Sequence, residues 1–256
     1  MGLTDLFTIH GNKQTPKVRL VCFPYAGGNS SSYQRLAKSL PSWVQLVTLD
    51  LPGRGSKAHL LAYTDAEKLV ADMLDFYPSN AECPVIFYGH SLGARLAYAL
   101  ASSLYDREAI LPDMLIVGAS RAPHLSVLHQ HYASLDDDAF IARVRQLGDP
   151  SSALLDDPQI RNIYLPMLRA DFTLVDSFQN QILSALPIQG MAISAEADVA
   201  VSSEQSQGWE LYFEQFTHYS LANADHLFVD SQLDALSEIL RAQCRLLVRN
   251  KRRVSG

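Results

Sequence analysis

Three cysteines in 256 residues, Cys22, Cys83 and Cys244, are too few and too widely spaced for a disulfide framework. Two lie in or beside apolar runs, so the expectation is buried free thiols in a reducing cytoplasm. No Cys/His pair has zinc-site spacing, and no metal is expected. No stretch approaches the roughly 18 unbroken apolar residues of a membrane span. The opening run Met1-Gly2-Leu3-Thr4-Asp5 has neither the basic start nor the apolar core of a signal peptide. A net charge of −6 argues against nucleic acid as the main partner. The local exception is the basic stretch Arg245 to Arg253, which includes Arg249, Lys251 and Arg252 and by default reads as a solvated terminus. There are no repeats and no low-complexity linker.

What is present is 48% apolar residue, which suits one or at most two soluble domains with a full-sized core, and a single domain over residues 1–256 is expected. Runs of strand length at Val18–Phe23, Gln45–Asp50, Pro84–Tyr88, Met114–Ala119, Ile188–Ala195 and Phe216–Ala222 alternate with helical patterns. The helical stretches are Ser30–Ser39, Asp65–Phe76, Leu92–Leu104, Glu204–Phe213 and Gln232–Val248. In the last, Leu233, Leu236, Ile239, Leu240 and Leu247 trace one face at helical spacing. Alternation of this kind predicts an α/β fold, a mainly parallel sheet with helices on both faces. From about Pro123 to Pro187 the alternation stops. Asp136–Gln146 reads as a helix, and Asp157–Ser184 as one or two more, punctuated by Pro166. A helical insertion between two strands, here residues 123–187, is expected to form a lid over the strand ends.

Gly89-His90-Ser91-Leu92-Gly93 reads G-x-S-x-G and sits between a strand-like and a helix-like run. That is the setting of a nucleophile elbow, a sharp strand-to-helix turn that lifts a serine hydroxyl clear of the sheet. A serine hydroxyl needs a histidine to take its proton and a carboxylate to orient that histidine, in the chain order Ser, acid, His. His226 follows a strand in the loop Asn223-Ala224-Asp225-His226, whereas His218 falls inside the strand. Asp198 lies just past the strand Ile188–Ala195, with Glu196 as the local competitor. Asp225 reads as a turn residue, while Asp171 and Asp176 fall in the helical insertion and default to solvated or structural roles. For the oxyanion, the amide after the serine, that of Leu92, is one expected donor. The Gly-rich loop Phe23-Pro24-Tyr25-Ala26-Gly27-Gly28 makes the Ala26 amide the other.

Together these residues resemble the type II, or external, thioesterases of non-ribosomal peptide and polyketide synthases, over nearly the whole chain. Phe23–Gly28 is similar to the family's F-P-x-A-G-G loop, Leu51-Pro52-Gly53-Arg54-Gly55 to its L-P-G-R-G segment and Gly89–Gly93 to its elbow. Pro166-Met167-Leu168-Arg169-Ala170-Asp171 resembles its P-x-L-R-A-D lid motif. Asp198 with Trp209 downstream falls where the family has its acid and a tryptophan, and His226-Leu227-Phe228 resembles its G-x-H-F-F segment. Ser194-Ala195 and Ala224-Asp225 stand where the family usually has glycines. The resemblance implies an α/β-hydrolase fold, no cofactor, and hydrolysis of acyl groups from the 4′-phosphopantetheine arm of carrier domains. It also implies a cytoplasmic monomer in transient contact with its carrier, for which the Arg245–Arg253 stretch or Arg121 is a candidate contact. A general carboxylesterase or lipase, or a thioesterase that releases a biosynthetic intermediate, would use the same three residues, and a non-catalytic carrier-binding accessory is a third reading.

Overall fold

The computed structural model describes residues 6–10, 15–77, 83–125, 131–146, 152, 155–178 and 185–254. Seven strands form one sheet: β1 (Phe7–His10), β2 (Val18–Phe23), β3 (Val44–Leu49), β4 (Val85–His90), β5 (Met114–Gly118), β6 (Leu186–Ala195) and β7 (Phe213–Leu221). Their spatial order is β1-β3-β2-β4-β5-β6-β7. All neighbours are parallel except β1, which pairs antiparallel with β3, Phe7 opposite Leu49.

Side chains of the central strands divide by parity, as the two-residue period of a strand requires. Leu20, Cys22, Leu46, Ile86, Tyr88 and Ile116 face one core, which is closed by Leu36 of α1 (Gln34–Ser39) and by Leu236, Leu240 and Cys244 of α8 (Leu233–Val254). Val21, Phe23, Val47, Leu49, Phe87 and Val117 face the other, closed by α2 (Ala66–Phe76) and α3 (Leu92–Asp106). Because helices cover both faces, β2, β3 and β4 are buried at every position.

Between β5 and β6 lie α4 (Asp137–Gln146) and α5 (Pro158–Ser177). They share a small core of Tyr132, Phe140, Val144, Leu165, Leu168 and Phe172, against which Ala26 packs. α5 runs as one helix through Pro166. Pro166 is exposed, and so is Asn162, whose carbonyl loses its helical donor and is left to water. Parts of the 123–187 segment, including 179–184 of the expected helix, lie outside the described residues.

The structure corrects the expected elements at several places. β1 was not anticipated from its four residues, which show only one exposed position, Ile9. The helix expected over Glu204–Phe213 is α6 (Ser203–Gln207) followed by a 3-10 turn to Tyr212. It starts at a Ser202 capping box, and the chain enters β7 at Phe213, not Phe216, because Phe213 is buried under Trp209 and against Gly190. β6 likewise begins at Leu186, before Ile188. The last helix, α8, follows the single turn α7 (Phe228–Ser231) and extends past the expected end at Val248. Its 22 residues span roughly 33 Å, which carries exposed Arg245 and Arg249 away from the loop that holds His226. The side chains of Lys251, Arg252 and Arg253 lie outside the described residues. Among the described residues no helix is long and apolar enough to cross a membrane.

Candidate active site

Ser91 caps α3 directly after β4, with φ 53° and ψ −113°, a backbone conformation that disfavours any side chain. The glycines two residues either side make the turn possible. A Cβ on Gly89 would lie 2.2 Å from the Gly93 carbonyl oxygen, and one on Gly93 would lie 2.0 Å from that of Phe23. The Ser91 amide donates to the Gly118 carbonyl at the end of β5 (2.8 Å), which ties the elbow to the sheet.

Asp198 and His226 arrive on neighbouring loops after β6 and β7. Main-chain bonds extend the pairing of those strands into the loops, Glu196 N–H to Leu221 and Ala197 N–H to Ala224. Asp198 Oδ2 is 2.8 Å from His226 Nδ1, and Oδ1 accepts the amides of Ala200 (2.8 Å) and Val201 (3.0 Å). The carboxylate is 1% exposed, with three donors converging on it. A carboxylate only accepts here, so His226 Nδ1 carries the proton and Nε2 presents its lone pair to Ser91 Oγ, 3.1 Å away. The structure therefore brings Ser91, His226 and Asp198 into one hydrogen-bonded chain.

The competing residues lie elsewhere. Glu196 is exposed. Asp225 accepts from Ser231 Oγ, and His218 sits 3.0 Å from Ser194 Oγ within the sheet. Asp176 accepts the Tyr132 amide, a structural role. Arg121 donates to the Ala200 carbonyl (2.7 Å) and so braces the loop that carries Asp198. Trp209 is fully buried and donates to the Ser120 carbonyl.

The oxyanion donors expected from the sequence lie in the two segments that meet at the elbow, the start of α3 and the loop after β2, where a Cβ on Gly93 would strike the backbone of Phe23 and Pro24. Leu92 occupies the first turn of α3, where amides have no intrahelical partner. In the loop after β2, the Gly27 amide is taken by Asp171 and that of Gly28 by the Tyr25 carbonyl, while those of Tyr25 and Ala26 have no protein acceptor among the described residues.

Two features were missed in the sequence. His90, the variable position beside the serine, is fully buried and within hydrogen-bond reach of Tyr88 Oη (3.0 Å) and the His226 carbonyl (2.7 Å). A carbonyl only accepts, so His90 Nε2–H is the donor and Nδ1 accepts from Tyr88. Burial pushes its pKa down to about 3, and the ring holds the His226 main chain as a neutral group. The second is a buried ion pair. Arg54 donates through Nη1 and Nη2 to the two Asp171 oxygens (2.7 and 2.5 Å), with side chains 3% and 1% exposed. Asp171 is thus buried, not solvated. Its pairing with a residue 117 positions away leaves no local signal. Among the described residues no group of three or more His, Cys, Asp or Glu could hold a metal ion.

A mostly parallel sheet that presents Ser, Asp and His in that order from the ends of three strands defines an α/β hydrolase. The chain belongs to the thioesterase domain family, whose model matches residues 18–244. It is 27% identical to the gramicidin S biosynthesis protein GrsT of Aneurinibacillus migulanus, over 92% of each chain. It is 31% identical to the thioesterase PikA5 of Streptomyces venezuelae, over 75% of this chain and 68% of that one. Among solved structures, RedJ, a thioesterase of the prodiginine pathway of Streptomyces coelicolor, superimposes with a TM-score of 0.78 at 31% identity, covering 89% and 90% of the two chains. By family this chain is a hydrolase of thioesters.

Proposed function

We propose that this enzyme removes stalled or mis-primed acyl groups from the phosphopantetheine arm of carrier domains in peptide or polyketide assembly, with Ser91 as its nucleophile. The observation that carries the reading is the hydrogen-bonded chain Ser91–His226–Asp198. Its relatives by name serve gramicidin S and prodiginine biosynthesis.

In the first half-reaction His226 Nε2 takes the Ser91 proton as Oγ attacks the thioester carbonyl carbon. The carbonyl oxygen becomes an oxyanion held by the Ala26 and Leu92 amides. Asp198 stabilises the imidazolium and fixes its orientation. The C–S bond then breaks, and the pantetheine sulfur leaves and takes the proton from His226. With a thiol pKa of about 8.5 this group departs readily. In the second half-reaction water gives a proton to His226 and its oxygen attacks the acyl carbon. The carbon–Oγ bond breaks, Ser91 regains its proton and the free acid leaves. No cofactor enters either step.

On this reading residues 123–187 form the lid over the strand ends, in a one-domain enzyme. It works as a cytoplasmic monomer that meets its carrier transiently, and its three cysteines, free and buried, suit a reducing compartment. The test is a hydrolysis panel: acetyl, propionyl, octanoyl and aminoacyl groups on a carrier domain, on coenzyme A and as oxoesters, with Ser91→Ala as the blank. Preference for carrier-bound short chains is expected. Equal or faster oxoester hydrolysis, indifferent to the carrier, would make the enzyme a general esterase. Activity retained in Ser91→Ala would remove the relay from the mechanism.

A further inference from the structure

The Arg54–Asp171 pair does more than join two elements, because both partners also grip the loop that carries Ala26. Asp171 Oδ2 accepts the Gly27 amide at 2.7 Å, and Arg54 Nη1 donates to the Gly28 carbonyl at 3.0 Å. Asp171 does not reach the loop alone. Tyr164, Leu168 and Asp171 occur at i, i+4 and i+7 along α5, one stripe of the helix. All three meet Gly27: a Cβ placed there would lie 2.3 Å from the Tyr164 hydroxyl and 3.4 Å from Leu168 Cδ1. Gly27 adopts φ +83°, so both its backbone and its missing side chain fit the seat. The guanidinium offsets the charge of the carboxylate, so the grip brings little net negative charge near a site where an oxyanion forms.

We propose that Asp171, paired with Arg54, is a positioning residue for the oxyanion. It locks the 26–28 loop to α5 and so fixes where the Ala26 amide points. This rests on the reading of Ser91 and Ala26 given above. Since α5 belongs to the insertion between β5 and β6, a shift of that helix transmits to the oxyanion site through Gly27.

The test uses the full-length enzyme with an acyl-pantetheine thioester. Asp171→Asn keeps the shape and an oxygen acceptor but loses the ion pair. Its kcat is expected to fall about 10- to 100-fold, the scale of a misplaced oxyanion donor, with KM changed less than twofold. Affinity for a trifluoromethyl ketone, which Ser91 converts to a tetrahedral oxyanion, should fall in parallel, while affinity for the matched non-hydrolysable thioether stays within twofold. Gly27→Ala leaves the ion pair chemically intact, strains the loop at φ +83° and sets a Cβ where the Tyr164 hydroxyl sits. It should reproduce the same split, and serves if Asp171→Asn does not fold. A lowered melting temperature with kcat and the ketone-to-thioether ratio unchanged in the folded protein would reduce the pair to a fold element and overturn the proposal. Ser91→Ala separates the two levels. If it abolishes hydrolysis, a failure of the split counts against Asp171 alone; if it does not, the active-site reading and the proposal fall together.

Discussion

Ser91, Asp198 and His226 hang from main-chain bonds that continue the sheet, whereas the Ala26 loop opposite them is gripped by side chains from distant segments. On the relay side the Ser91 amide bonds to Gly118, and the Asp198 and His226 loops are joined through Ala197 and Ala224. His90 and Arg121 add side-chain anchors there, to the His226 and Ala200 carbonyls. On the other side Asp171 and Arg54 hold Gly27 and Gly28, and Tyr164 leans on Gly27. A sheet can fix a reacting group with geometry it already has. A loop beside an inserted helical segment needs anchors of its own, and charged hydrogen bonds supply them.

The relay side breaks most completely at the carboxylate. Asp198→Asn should lower kcat on acyl-pantetheine by about 10⁴-fold, since an amide nitrogen facing Nδ1 favours the wrong tautomer. Steady-state rates compared with an unchanged urea midpoint would separate this from unfolding. A loss under tenfold would mean that His226 is oriented by something else. Next is the backbone contact under the elbow. Gly93→Ala puts a Cβ 2.0 Å from the Phe23 carbonyl oxygen, with backbone on both sides. The expected cost is about 3 kcal/mol or more in urea unfolding. A near-neutral result would show that β2 and α3 can part there, and the contrast between a rigid side and a gripped side would weaken.

The smallest effect concerns His90. Its pKa is lowered to about 3 in the fold, against 6.5 in the open chain. Between those values the unfolded chain binds the extra proton, so stability rises with pH across that window and is lost as pH falls from about 6.5 towards 3. The slope from this one group is at most about 1.4 kcal/mol per pH unit. His90→Gln offers an amide N–H to the His226 carbonyl and has no such titration. The stability difference between wild type and variant should therefore shrink, or reverse, on acidification from pH 7 to 5. Parallel stability curves would mean that His90 protonates in place.

What could be read from residues alone follows the same division. Val18–Phe23 and Leu92–Leu104 are strong local patterns, and the order serine, acid, histidine needs only loops at strand ends. The expected β2 matches at both ends. The Arg54–Asp171 grip could not be read, because neither residue carries a mark of its partner across 117 positions. His90 occupies a variable place in G-x-S-x-G, and its role depends on a carbonyl 136 residues on. Phe213 closes the helical pattern Glu204–Phe213 in the sequence, and tertiary burial against Gly190 makes it strand. Pro166 leaves one helix or two open in the sequence, and the exposed Asn162 carbonyl lets a single helix run through it.

Ser91 is a residue that its own backbone would exchange for another. At φ 53° and ψ −113° glycine is the natural occupant, so Ser91→Gly should raise the melting temperature while ending turnover. A library selected only for folded protein would drift towards that change. Selection for hydrolysis has to act continuously to keep the hydroxyl in place, and thermostability screens of this enzyme should therefore score turnover alongside melting.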